Sequence, residues 1–279
     1  MPWPALLRRR DDVGEGDSIS VNPAALFDLP PELSAFVDEV GTGGTFSCDK
    51  GGGIVLDTRD GGYKENGAGK DGTHYCGNKA EQPTYVWWVS NMDIDCDGSE
   101  GTTGPCASDQ SFLGDTAFQD DQGSNIDAQS VQYVVINQGD AFEPTQHNIE
   151  PLSVVAVVCN GKLTYGVWAD TNALGSMGEA SVYLGRVCYG SQINGNYGHS
   201  EADVLYIAFP GGKDKTVPDQ QGKDAKAMFL LGKKLVEAAF GGDGGEEEEG
   251  TAKGGDGTVS ASSVTYTAPT GSLGAGAAP

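Results

Sequence analysis

Asp170 and Glu179 flank the eight-residue stretch Thr171 to Gly178 in the segment Tyr165-Gly-Val-Trp168-Ala-Asp170-Thr-Asn172-Ala-Leu-Gly-Ser-Met-Gly178-Glu179-Ala-Ser181. Two carboxylates on opposite banks of a glycine-containing loop suit glycoside hydrolysis. One carboxyl protonates the leaving oxygen, and the other activates water or attacks the sugar. Residue alternation places Trp168 on the face of Asp170 at a strand end, where its ring offers a stacking surface for a pyranose or a cation–π face for an amino sugar. A second acidic segment is Ser90-Asn-Met-Asp93-Ile-Asp95-Cys-Asp97-Gly98. In an extended chain Asp93, Asp95 and Asp97 share one face, opposite Ile94 and Cys96. The pattern Asp-x-Asp-x-Asp-Gly also opens an EF-hand loop, but that loop needs a bidentate carboxylate at its twelfth position, where Gly104 stands before Pro105. With the EF-hand excluded, a looser calcium loop, a solvated strand edge and a substrate-facing row of carboxylates stay open. No metal site and no cofactor is assigned.

The elements that must position these groups are short and β-rich. Strands are expected at Tyr85–Val89, Tyr133–Ile136, Leu152–Cys159, Leu163–Ala169 and Val204–Phe209, separated by glycine-rich turns. Asn160-Gly161 between two β-type runs predicts a type I′ hairpin, because both residues tolerate positive φ. Leu33, Phe36, Val37 and Val40 fall on one face of a predicted helix in 28–40 with proline in its first turn. Met228, Leu231, Leu235 and Ala239 mark a second amphipathic helix in 223–240, weakened by Gly232. Glu179 is expected to open a third, through Tyr183, Leu184 and Val187. Residues 1–27 read as a mobile extension and 241–279 as a disordered acidic Gly/Ser/Thr-rich tail, leaving 28–240 as the folded domain. The expected fold is mainly β with a few short helices, closing as a small β-barrel.

Charge narrows the partners. The 279 residues carry 17 Lys+Arg against 40 Asp+Glu, a formal net charge of −23. A nucleic-acid binder needs a basic face to release counterions, so that class is excluded. No apolar run approaches the ~18 residues of a membrane span. An acidic surface attracts cations, which makes a polycation a candidate substrate. The six cysteines include no CxxC pair, and the three histidines are scattered, which argues against zinc or thioredoxin chemistry. Three disulfides in an oxidising compartment follow, with Cys96–Cys106 the expected pair across a glycine-rich loop. The start, Met1 to Arg10, shows no signal-peptide core, so a secreted protein is expected whose leader is not visible in this chain. His74, His147 and His199 read as structural or surface residues, with His199, in Asn196-Tyr-Gly-His199, the candidate exception.

The segments Asn91-Met-Asp-Ile-Asp-Cys-Asp-Gly98, Leu152–Gly161, Tyr165–Asn172, Gly178-Glu-Ala-Ser181 and Asp203–Phe209 resemble, in order and spacing, the fungal chitosanases of glycoside hydrolase family 75. The resemblance spans roughly 28–240. It implies endo-acting cleavage of β-1,4 links in partly deacetylated chitosan with inversion, and it places the family's two essential acids on Asp170 and Glu179. Glu179 is assigned as general acid and Asp170 as general base. Asp93, Asp95, Asp97, Trp168 and Asn172 are the expected substrate-binding residues, the aspartates as subsites for ammonium groups. The chain departs from the family pattern at Ala169 and Ala173-Leu174, where glycines are common. A monomer acting on a cationic polysaccharide is expected; a non-catalytic acidic cell-wall binding protein on the same scaffold is the competing reading.

Overall fold

A computed structural model of the protein describes residues 26–41, 47–66, 71–99, 103–109, 111–172, 175–217 and 225–241. Most of the expected N-terminal extension, the tail beyond 241, and Ala173-Leu174 lie outside the described residues. The helices are α1 (Pro31–Val40), α2 (Val182–Tyr189) and α3 (Ala225–Phe240). The strands are β1 (Ile54–Val55), β2 (Tyr63–Glu65), β3 (Asp71–Thr73), β4 (Cys76–Gly77), β5 (Val86–Asp95), β6 (Tyr133–Ile136), β7 (Val154–Cys159), β8 (Lys162–Thr171), β9 (Ser176–Met177), β10 (Glu179–Ser181) and β11 (His199–Ala208). Each strand expected from the sequence is present, several of them longer than their apolar runs, because the polar stretches Ser90–Asp95 and His199–Asp203 also pair.

Six strands close on themselves in the order β5-β10-β6-β8-β7-β11 and back to β5, forming a barrel. The β10–β5 and β6–β8 pairs are parallel and the rest antiparallel. Asn160 and Gly161 adopt φ of 50° and 67°, and the turn they make brings Cys159 opposite Lys162, as a type I′ hairpin requires. A smaller sheet, β3-β2-β9, stands beside the barrel.

Barrel strands send alternate residues into two apolar clusters. One holds Trp87, Val89, Tyr133, Tyr165 and Val167 and is covered by Phe36 and Val40 of α1 and Met228, Leu235 and Phe240 of α3. The other holds Trp88, Met92, Val134, Trp168 and Tyr206 with Leu184 and Cys188 of α2. Phe27, assigned from sequence to the extension, instead bridges to Leu163 through paired backbone hydrogen bonds of 2.8 and 2.9 Å and meets the ring of Phe229. All six cysteines pair, as Cys48–Cys76, Cys96–Cys106 and Cys159–Cys188. The first pins the turn after α1 to β4, the second closes the loop after β5, and the third ties β7 to α2.

One sequence expectation is corrected here. Glu179 does not open a helix; it lies on β10, paired with Asp93 on one side and Val135 on the other. The helix starts at Val182 because Ser181 caps it, accepting from Leu184 N at 3.2 Å. The same hydroxyl donates to Val131 O at 2.7 Å, so the cap is also welded to the barrel.

Candidate active site

Hydrogen-bonded neighbours line up Asp93 on β5, Glu179 on β10, Val135 on β6 and Asp170 on β8 in one row across the barrel wall. Adjacent strands are ~4.8 Å apart, so two strand spacings put the backbones of Glu179 and Asp170 at most ~9.6 Å apart, and less across the curved wall. The closed barrel therefore juxtaposes two acids that the sequence separates by a loop.

Next to this row Asp95, Asp97 and Asp170 bring carboxylate oxygens within 4.8 Å of one another. Ile94 and Cys96, between these aspartates, are buried, with Ile94 against Gly185 of α2. This concentration of negative charge in a poorly hydrated place shifts proton affinities upward. Burial, then Glu179, Asp97 and Asp170, hold the Asp95 carboxyl well above the usual range. Asp97 is pushed up to about 6, chiefly by burial. Burial also raises Glu179 to about 7, with Asp93, Asp97 and Asp170 adding to it while the hydrogen bond from Asn172 works against it. Asp170 is raised by burial but is opposed by backbone donors: its Oδ1 accepts from Thr171 N at 2.7 Å and from Ala117 N at 3.2 Å. Both acids are raised by burial, and they differ in what opposes it: two backbone donors at Asp170, one side-chain amide at Glu179. The three clustered aspartates also form a donor set that suits a hard cation or a cationic group of a ligand.

Trp168 does not offer a stacking face. The β6–β8 register shifts between Val134 and Val135, so Trp168 pairs with Val134 and Asp170 with Val135, with Ala169 accommodated between them. The indole is fully buried at 0% exposure, edge-on to Phe118, and its Nε1 donates to Asp170 O at 2.9 Å. Trp168 supports the strand end that carries Asp170. Asn172 does reach the site, donating to Glu179 Oε2 at 3.2 Å and to Ser176 Oγ at 2.9 Å.

The described residues between the two acids are held by backbone pairing. Ser176 and Met177 pair with Lys64 and Glu65 of β2, and Asp93 N donates to Gly178 O at 2.7 Å. Gly178 has φ 87°, and a Cβ there would stand 2.3 Å from Asn91 Oδ1 and Ser90 Oγ, so glycine alone lets β10 lie this close to β5. Sequence reasoning gave no role to Ser90 and Asn91, although they open the quoted acidic segment, and missed Asn137, a lone amide with no periodicity or motif by which to find it. None of the histidines belongs to the acidic row: His74 meets Asp57, His147 stacks on Phe142, and His199 pairs with Asp203 at 2.6 Å against the ring of Tyr189. Two open grooves, of about 510 and 580 Å³, run along α2 and the Gly104–Ser108 turn, away from the acids.

A closed barrel wall bearing two differently tuned carboxyl groups is the kind of site that glycosidases use. Comparison with known proteins agrees. Residues 92–238 match the family described as fungal chitosanase of glycosyl hydrolase group 75. An endo-chitosanase of Aspergillus fumigatus is 42% identical over 161 residues, covering 53% of this chain and 68% of that protein. An endo-chitosanase of Aspergillus oryzae is 37% identical over 240 residues, covering 76% of this chain and 92% of that protein. The chain belongs to glycoside hydrolase family 75.

Proposed function

We propose that the protein is an endo-acting chitosanase that cleaves β-1,4 links of partly deacetylated chitosan with inversion, using Glu179 as general acid and Asp170 as general base. The observation that carries this reading is the single row holding both acids two strands apart. Inverting hydrolysis asks for carboxyl groups ~6.5–9.5 Å apart, with water lodged between base and sugar, and acids carried two strands apart on one wall are compatible with such a gap. The division of roles follows from surroundings. Burial favours a protonated Glu179, which can donate to the leaving oxygen, whereas two backbone N–H groups favour the charged form of Asp170.

Asp93, Asp95 and Asp97 would receive the ammonium groups of glucosamine units, and the net charge of −23 would draw the polycation in. Asn172 would orient Glu179 and border the cleft. The family and the three disulfides favour an extracellular setting. A monomer suffices, since all five acids come from one chain.

Purified protein is incubated with soluble chitosan polymer, and reducing ends and anomeric configuration are followed by NMR. Rapid loss of viscosity with new α-anomeric ends is expected; binding without release of ends would leave a non-catalytic polysaccharide-binding protein, and β-ends would exclude inversion.

A further inference from the structure

We propose that Asn137 is a positioning residue for this hydrolysis: its side-chain amide clamps the turn between Asp170 and Glu179 and so sets where the Glu179 carboxyl stands. The inference rests on the reading of the two acids given above. Asn137 follows β6 directly and is buried, at 5% exposure. Its backbone is fixed first: Asn137 N donates to the hydroxyl oxygen of Tyr75 at 2.9 Å, and that fully buried ring stacks on Phe142 with centroids 3.9 Å apart. The amide nitrogen then donates to Asn172 O and, at 3.3 Å, to Ser176 O. Asn172 lies just beyond Asp170 and Ser176 just before Glu179, so one NH₂ group grips both sides of the turn. An amide is suited to this because it offers two donors from one rigid plane.

The grip is passed on. Asn172, with its carbonyl held, turns its own amide to Ser176 Oγ and to Glu179 Oε2. On the far side, Lys64 N and Asn66 N donate to Gly175 O and Met177 O at 3.2 and 2.7 Å, so β2 and Asn137 hold the turn together. Asn137 touches neither acid, and its influence on the chemistry runs through Asn172.

The test uses the full chain carrying Asn137→Asp, which keeps the shape but removes both donors, and Asn137→Ala. On chitosan, kcat should fall about 100-fold, the cost of an ångström-scale misplacement of a reacting group. KM should stay within about threefold, since the acidic row is untouched. The double variant with Asn172→Ala should be no slower than the slower single variant, because both changes cut one line of contact. A kcat within about threefold of the parent, or a double variant whose loss is the product of the two single losses, overturns the proposal. Amide exchange at Lys64 and Asn66 reads the clamp without any substrate: it should quicken at least tenfold in either Asn137 variant, and unchanged exchange also overturns the proposal. If the parent protein fails to cleave chitosan, the functional reading falls, while the exchange measurement still judges the clamp. Should neither Asn137 variant fold, the half-exposed Asn172→Ala carries the same kinetic expectation, and loss of KM rather than kcat there refutes it.

Discussion

Along β8 the same strand serves two opposite environments within five residues. At Tyr165 it meets α3, where Gly232 lies so close that a Cβ would stand 2.3 Å from the ring's Cδ1. That seam is apolar and shaped for contact, closed by Met228, Leu235 and Phe229 around the tyrosine. At Asp170 the strand ends among carboxylates, where like charges are packed in a region that water reaches poorly. Burial stabilises the first region by removing apolar surface from water. In the second, burial works against the ionised groups placed there. The barrel thus gains its stability at one end of a strand and accepts strain at the other, which is where chemistry requires it.

The sharpest way to break this comparison is at the acids. Asp170→Asn and Glu179→Gln are each expected to fold normally and to lose turnover on chitosan by on the order of 10²–10⁴-fold. Near-UV circular dichroism and initial rates check this. A folded variant of either position that retains more than about a tenth of parental turnover removes that residue from the acid–base pair.

Proton affinity gives the next largest effect. With Glu179 raised to about 7, its protonated fraction falls as pH rises through that value, so kcat should decline roughly tenfold per unit well above it. On the acid side, activity should fail where Asp170 takes up its proton, above the ordinary aspartate range. The Asn172→Ala variant removes a donor to the Glu179 carboxylate, so its alkaline limb should move to higher pH. A limb that moves down or stays put would mean that Glu179 is not the titrating acid.

The seam should respond in the opposite sense. Gly232→Val forces branched carbon into the Tyr165 ring, an overpacking that costs ~1–3 kcal/mol, beyond any gain in helix propensity. Melting temperature should drop by about 2–12 °C, at 2–4 °C per kcal/mol. The kcat at 25 °C should be unchanged, because the seam does not touch the acids. Equal stability would show that α3 can shift away from β8.

These two regions were unequally legible in the sequence. Gly232 read as a weak point in a helix, since propensity sees a missing side chain but not the ring that takes its place. The acidic character of the segment 93–97 was legible in the sequence, but that Asp95 and Asp97 meet Asp170 was not, because that meeting comes from strands distant in the chain. Glu179 was misplaced on a helix, since the apolar spacing of Tyr183, Leu184 and Val187 ran backward past Ser181, and the pairing that claims 179–181 for β10 comes from β5 and β6, more than forty residues away in the chain. Trp168 was read as a stacking surface because alternation tells which face a ring lies on but not that the face is packed: here it joins the cluster of Trp88, Met92 and Tyr206 and meets Phe118. The barrel could be expected from short strands and the Asn160-Gly161 turn, but its parallel pairs, which build the acidic row, have no local signature.

The smallest expected effect separates charge from packing at the acidic end. Asp95 is buried, and its carboxyl is held well above the usual range by burial and by Glu179, Asp97 and Asp170. A carboxyl raised on folding binds its proton more tightly in the native state, so its contribution favours the fold below the unfolded value of ~3.9 and is lost as pH rises through the native value. Asp95→Asn keeps an oxygen to accept from Asp97 N, a bond now 2.8 Å long, and removes the charge. The variant should therefore match the parent at pH 4 and exceed it in melting temperature at pH 8. Each unit of raised affinity corresponds to ~1.4 kcal/mol, or about 3–6 °C at this size. The alkaline limb of kcat should stay in place, because Glu179 is raised by burial, Asp93, Asp97 and Asp170 and not by Asp95. Thermal melts at the two pH values, read beside the rate profile, decide the matter. A variant that is destabilised equally at both would show that Asp95 acts through its hydrogen bond, and that the acidic end is held by geometry in the same way as the seam.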